Sequence, residues 1–492
     1  MNTTTRPSLL DAGLRYAWAA VLLALPVTSF RYFPGDDGTY VRPLALYPLA
    51  VLALVLFIQL ARRKISFPVA GALTPLLAFL MAAAAAALLG ILLMPVPVRG
   101  QDATGRIARA WTTILIGVGF FGASVWMNRK EADLRFTLKW LLAGLALDIL
   151  WGGLQGATFY LHAFPKPLVT HWQRAFSMRE LIRTDRVSGL AYEPSWLAGQ
   201  LATVYLPWLF ASLLTGQRLT RFKWLEPVLL VLTILLLLAT FSRGGILTVS
   251  VAAALTLLFV GRDQIRTAAA WLFTGYRRGR VALLKIGALT LIVLAVAGAL
   301  LFLGQKGYIA RLWNTQASSL PDFLIANSAG ARAAYAWSAL GTFGEHPWIG
   351  VGPGASGLYM YSNLPDWALT TVPEIARQLS PESALYPNPK NLYVRLLAET
   401  GLIGFFLYLA FQFFLLGDAL AALGHGSTLG RFLAMAGIFT WFALLAYNMT
   451  QDSLAIPNIW INLGVLAGMS AALIASGRGR TQPGLQAAAE AP

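Results

Sequence analysis

Arginines and carboxylates at the ends of long apolar runs are the residues of this chain that could do chemistry. Arg186-Val-Ser-Gly-Leu-Ala-Tyr-Glu-Pro-Ser195 places Arg186, Tyr192 and Glu193 directly before one such run. Phe241-Ser-Arg-Gly-Gly245 sets Arg243 between two runs with almost no loop. Asn388-Pro-Lys-Asn-Leu-Tyr-Val-Arg-Leu-Leu-Ala-Glu-Thr-Gly401 carries Lys390, Asn391, Arg395 and Glu399 into another. An arginine at the middle of a membrane helix costs roughly 2.5–3.5 kcal/mol on insertion scales. A chain that otherwise keeps charge out of its apolar runs, yet places arginines at their edges, uses them. The natural partner of a fixed guanidinium there is a phosphate, which it binds bidentately.

Each of these residues also has a plainer reading. Arg243 before Gly244 and Gly245 combines a cation with a tight turn and bare backbone N–H groups, an anion site at a helix start; the alternative is a hairpin arginine that snorkels to the interface. Glu193 precedes Pro194, a normal first-turn residue, and reads either as a reacting carboxylate or as one favoured by the helix dipole. Arg174, Arg179 and Arg183 share the segment 161–194, where Arg174 and Arg179 read equally well as solvated or headgroup-facing charge. Asn391, Arg395 and Glu399 form one polar stripe at helical spacing, and the last two could be only an ion pair worth a few tenths of a kcal/mol. Arg332 leads a helical stretch, Ala331–Phe343, into His346-Pro-Trp-Ile-Gly-Val-Gly-Pro-Gly354. That glycine series is neither a Walker loop nor a dinucleotide fingerprint. It reads as a loop that fits closely over a ligand or over another helix.

The elements that must position these residues are membrane spans. The chain is 57% hydrophobic and 12% charged over 492 residues, the composition of an all-α polytopic membrane protein. Twelve runs approach the roughly 20 residues a span needs: 14–30, 44–61, 68–94, 107–127, 137–160, 195–215, 224–241, 243–260, 281–304, 399–421, 429–448 and 456–475. The first run lacks a small-residue cleavage site, so no cleavable leader is expected. With the N-terminus inside, the cytoplasmic connections hold Arg62-Arg63-Lys64, Arg129-Lys130, Arg218, Arg221, Lys223, Arg262, Arg266, Arg277, Arg278, Arg280 and Arg431. This register obeys the positive-inside rule. It puts both termini in the cytoplasm and the long segments 161–194 and 305–398 in the periplasm. The expected organisation is 1–160 N-terminal helices, 161–304 central helices with the arginine-rich loop, 305–398 a periplasmic subdomain, 399–475 C-terminal helices, and a disordered tail over 476–492. The alanine run Ala82–Ala87 reads as close helix packing.

Net charge is +17. In a membrane protein this reflects loop lysines and arginines rather than nucleic-acid binding. The absence of cysteine excludes disulfides, thiolate metal sites and cysteine nucleophiles. The four histidines show no ligand spacing, and the acidic residues of the outer loops (Asp185, Glu193, Asp322, Glu345, Asp366, Glu374, Glu382) stand singly. No metal and no cofactor are therefore expected.

Arg186–Gly189 with Glu193-Pro194-Ser195, Ser242-Arg243-Gly244-Gly245, His346-Pro347 with Gly350-Val351-Gly352, and Asn391 with Glu399-Thr400-Gly401 together resemble the O-antigen polymerase and O-antigen ligase family of bacterial envelope enzymes. The resemblance covers 186–404; the first five spans match only as hydrophobic helices. It implies a GT-C-like, metal-independent glycosyltransferase of the bacterial inner membrane. Its donor glycan hangs from undecaprenyl diphosphate at the periplasmic face, and its acceptor is a lipid-linked repeat or lipid A-core; a chain-length regulator is an expected partner. Arg186 and Arg243 take the family's diphosphate-holding role, with Arg332, Asn391, Arg395 and Tyr192 as further donor or glycan contacts. Ligases of the family carry a histidine directly before the asparagine; here that residue is Lys390. Glu193, Lys390 and His346 are thus the catalytic candidates, with Glu193 as base, and a polymerase is favoured over a ligase. Transport of the same lipid-linked sugars is the competing class. It would call for ionisable residues at mid-membrane, where only Asp148 and Asp418 stand.

Overall fold

The computed structural model describes residues 9–33, 41–66, 70–93, 100, 102–179, 186–273, 279–305, 316–380 and 387–480. Eighteen helices are distinguished among these residues. They are α1 Leu9–Ala24, α2 Leu46–Ala61, α3 Leu73–Leu93, α4 Ala103–Met127, α5 Glu131–Tyr160, α6 Lys166–Arg174, α7 Pro194–Thr215, α8 Leu225–Ala239 and α9 Arg243–Val260. There follow α10 Arg262–Phe273, α11 Gly279–Gln305, α12 Leu320–Ala326, α13 Gly330–Glu345, α14 Trp367–Thr371, α15 Pro373–Gln378, α16 Leu392–Gly424, α17 Thr428–Tyr447 and α18 Ile461–Arg480. No strand is formed among the described residues; two isolated bridges join Ser29 to Arg42 and Phe30 to Ser177. Each of the twelve expected spans coincides with a helix. Seven (α3, α4, α5, α7, α9, α16, α17) are long and apolar enough by themselves to cross a membrane. The protein is an all-α polytopic membrane protein.

Besides shifts of about six residues at α1 and at the start of α5, three departures from the sequence-based reading stand out. α16 begins at Leu392, seven residues before the expected 399, because Asn391 caps it: its Oδ1 accepts from Tyr393 N and Val394 N. α10 occupies a stretch read as loop, since its Arg, Asp and Gln interrupt the apolar run without preventing a helix. α18 runs through Arg480, past the start of the expected tail at 476. Residues 481–492 lie outside the described set, as do Arg183, Asp185, Arg277, Arg278 and Glu382.

α7 is the axis of the bundle. In its best membrane-length window 83% of residues are buried, against 22–67% for the other six candidate spans. α17 packs along α7, α9 and α16; α18 packs along α4 and α16. Pro207 lacks the N–H that would bond Thr203 O in an α-helix, and Leu201–Tyr205 relaxes into a π-helical turn. Asn462 of α18 supplies the missing donor: its Nδ2 reaches Thr203 O at 2.7 Å and Val204 O at 3.1 Å, while its Oδ1 accepts from Trp208 Nε1 at 2.8 Å. In a bilayer each orphaned carbonyl costs several kcal/mol, so one buried amide fixes how α18 sits on α7.

α16 is broken at Gly401, whose φ of 61° and ψ of −167° leave the helical region. The glycine series of 347–354 fills the break. Val351 N donates to Ala398 O (3.0 Å) and Gly352 N to Glu399 O (2.9 Å). In return Leu402 N donates to Pro347 O (2.8 Å) and Ile403 N to Trp348 O (3.2 Å). Gly350, Gly352 and Gly354 all hold positive φ. Gly90 of α3 presses against Val351 O, next to the buried Ala83, Ala86 and Ala87. The loop therefore lies over other helices, as the second of its two sequence readings expects. A second, smaller core joins Ala334 and Tyr335 of α13 to Met360, Ala368, Val372, Ile375 and Leu379.

Gly401→Ala adds a Cβ about 2.3 Å from Trp348 backbone atoms at a positive φ. It is expected to cost about 2–4 kcal/mol, read as a fall in thermal stability in detergent. Gly287→Ala, in α11 with nothing within 4 Å of the new Cβ, is expected to be neutral or slightly stabilising.

Candidate functional site

The strap from Arg186 to Tyr192 runs along the end of α8 before turning into α7. Val187 N donates to Ala239 O at 3.0 Å, and Arg186 Nε to Thr240 O at 2.8 Å. Tyr192 N is held by Thr28 Oγ1 at 2.9 Å. Arg186 is thereby fixed against the turn that leads into Arg243.

Glu193 occupies the cap position of α7, but its side chain does not cap the helix. Its Oε1 accepts from Arg179 Nη1 at 2.7 Å and its Oε2 from Ser195 Oγ at 3.1 Å. The Arg179 guanidinium lies 4.7 Å from the centre of the Tyr192 ring, which packs 5.3 Å from Trp196. Glu193 is thus ion-paired with Arg179, fourteen residues upstream and beyond any helical spacing. Sequence reasoning left Arg179 half-assigned to solvent, and nothing in its spacing marks it out. Trp196 also lines a crevice with Thr28, Val41, Pro43, Tyr447, Ile456, Pro457 and Asn458.

Arg243 opens α9. Phe241 before it takes a left-handed φ of 48°, a conformation a bulky residue adopts only when its surroundings enforce it. Ser242 caps the helix through Gly245 N at 3.2 Å, so one of the two glycine N–H groups read as bare is already engaged. Arg243 forks onto Asn327: Nη1 to Oδ1 at 2.9 Å and Nη2 to the carbonyl at 2.7 Å. A Cβ at Gly245 would lie 2.4 Å from the Ala198 Cβ, which shows how closely α9 meets α7; Gly244 faces Thr450.

Lys390 stands at the start of α16 with a left-handed φ of 59°. Its backbone N–H donates to Asp452 Oδ2 at 2.8 Å, and Leu392 N donates to Asn448 O at 2.9 Å. Arg395 is buried. Its Nε reaches both oxygens of Glu399 at 3.0–3.1 Å and its Nη1 the carbonyl of Asp452 at 2.8 Å. Ser356 Oγ donates to Glu399 Oε1 at 2.8 Å. The pair is only 9% and 4% exposed, so the few tenths of a kcal/mol expected of a surface pair do not describe it.

His346 ends α13, its ring 5.6 Å from that of Tyr359. Burial, and then the Glu345 carboxylate, push the Tyr359 phenol up, so it stays protonated. His346 reaches α16 through the glycine loop, Gly350 N bonding its carbonyl at 3.2 Å. Arg332 is exposed on α13. The structure therefore gathers Arg186, Tyr192, Glu193, Arg243, Lys390, Asn391 and Arg395 around the starts of α7, α9 and α16 and the 448–456 loop. His346 and Arg332 sit on α13. Among the described residues no cluster of three or more His, Asp or Glu could hold a metal ion.

Arg395→Ala and Glu399→Gln should each cost about 3–5 kcal/mol, because each leaves a buried charge or donor unmatched. The double variant Arg395→Met/Glu399→Leu should recover much of that loss. Thermal unfolding of all three in detergent checks this; loss of activity without loss of stability in Arg395→Ala would instead mark a substrate contact.

Residues 228–409 match a family described as O-antigen ligase. No curated protein matches the chain. The matched region contains Arg243, the α13–glycine-loop unit and the start of α16, whereas Arg179, Arg186 and Glu193 precede it. Over residues 228–409 the chain is thus similar to the O-antigen polymerase and ligase family, whose members are glycosyltransferase-like membrane enzymes.

Proposed function

We propose that the protein is a polysaccharide polymerase of the inner membrane. It moves a growing glycan from undecaprenyl diphosphate to the next lipid-linked repeat at the periplasmic face. The observation that carries the reading is the placement of Arg186 and Arg243 on either side of the Thr240–Ser242 turn, each fixed by hydrogen bonds to protein oxygens. Preorganised guanidinium groups favour a diphosphate leaving group as its charge grows, without a metal. In the step, the acceptor hydroxyl oxygen bonds to the anomeric carbon. The bond from that carbon to the diphosphate oxygen breaks, and undecaprenyl diphosphate leaves. Glu193 takes the hydroxyl proton, with Arg179 and Ser195 holding its carboxylate in place. Lys390 contacts phosphate or acceptor. Asn391 and Arg395 act from behind, by setting the start of α16.

The second reading is a ligase, which transfers the finished glycan to lipid A-core. Lys390 in the place of the ligase histidine, and Glu193 at the start of α7, favour the polymerase. Purified protein in vesicles with an undecaprenyl-diphosphate-linked repeat should form new glycosidic bonds, in excess EDTA as well. Arg186→Ala and Arg243→Ala should lower turnover by about 10²-fold or more, and lysine at either position should rescue poorly. Product formed only when lipid A-core is supplied would select the ligase. Movement of the lipid-linked sugar with no bond formed would select a transporter.

Glu193→Gln separates the base from a purely orienting role. A base predicts a large fall in kcat with donor KM kept. The orientation is checked by Ser318→Cys in this cysteine-free chain. A membrane-impermeant thiol reagent should label it from the periplasmic side; labelling only after access to the cytoplasmic side reverses the topology.

A further inference from the structure

α5 presents three residues on one face, two turns apart from first to last: Asp148, Gly152 and Gln155. All are buried, and all meet the strap that carries Arg186. Asp148 Oδ1 accepts from Leu190 N at 2.9 Å. Gln155 Oε1 accepts from Ser188 N at 3.0 Å and Gly189 N at 2.9 Å, while its Nε2 donates to Gly189 O at 3.1 Å. Gly152 makes room for Val187, whose Cγ1 would lie 3.2 Å from a Cβ there. Gly189 has a φ of +58°, and a Cβ on it would fall 2.6 Å from Asp148 Oδ1. Gln173, in the last turn of α6, completes the seat: its Oε1 accepts from Gln155 Nε2 at 3.2 Å and from Trp151 Nε1 at 2.6 Å.

A carboxylate and an amide inside a span usually mark a transport path or a reacting group. Here they are spent on backbone N–H groups of an irregular segment, which apolar surroundings would otherwise leave unsatisfied. We infer that Asp148 and Gln155 are positioning residues: by fixing the backbone of residues 188–190 they set where Arg186 stands for the donor diphosphate. The role in donor binding rests on the proposed reading of Arg186; the seating of the strap does not.

The two parts are measured separately. Leu190→Cys provides a single thiol on the strap, labelled by a membrane-impermeant maleimide. Asp148→Leu in that background should raise the labelling rate about tenfold or more. In the assay of glycosidic bond formation it should raise donor KM about tenfold with a smaller change in kcat. Asp148→Asn, which keeps the accepting oxygen, should restore both. Gln155→Leu gives the same pair of readouts should Asp148→Leu fail to fold. Unchanged labelling in the leucine variants, or an asparagine variant as impaired as the leucine one, overturns the positioning role. Released labelling in the leucine variants, with donor KM unchanged in Arg186→Ala, upholds the seat and removes Arg186 from the donor site instead.

Discussion

Everything around the site depends on backbone satisfaction where α16 is broken. A helix interrupted near a membrane loses hydrogen bonds that no water replaces. Here the loop 347–352 exchanges two donors for two acceptors across Gly401, so the broken helix and the loop are stable only together. That exchange fixes α13 and the start of α16 to one another. From the start of α16 the order spreads through Asn448 and Asp452 to the end of α17, and through α17 to α7 and α9. The glycines are required for contact distance: at Gly350 and Gly401 any side chain would overlap the opposing backbone.

The charges divide into two kinds. Arg395 and Glu399 are buried and mutually compensated, with Ser356 and the Asp452 carbonyl taking up further bonding capacity. They hold shape and are poorly disposed to trade partners, since removing either leaves the other uncompensated. Arg179 and Glu193 are about one-third exposed, so solvent weakens their attraction and a substrate can compete for either at modest cost. The proposed role of Glu193 draws on the second kind.

Much of the fold was legible in the sequence. Apolar runs of span length have few alternatives, and each became a helix. The starts of α7 and α9 were legible as well, from Pro194 and from Arg243 before two glycines. What the sequence hid were pairings across long separations. Asn462 looks like an ordinary polar residue until it meets the carbonyl that Pro207 abandons in α7. Arg179 has no periodic relation to Glu193. Asp148 and Gln155 read as isolated polar residues in a span, because the strap that seats on them comes more than thirty residues later. The glycine series was recognised as a close-fitting loop, but its partner, a break in another helix, has no signature beyond one further glycine.

The burial of α7 on nearly all sides has a consequence for how this chain can diverge. Helices such as α9 and α11 present broad faces to lipid, where one apolar side chain substitutes for another with little effect. α7 has no such face: Gly199 meets the Tyr447 ring, Ala198 meets Gly245, and Pro207 commits Asn462. Replacements there must be matched by changes in α9, α17 or α18. Among related sequences, variation in α7 should accordingly be sparse and correlated with those three helices, while the lipid-facing helices drift independently.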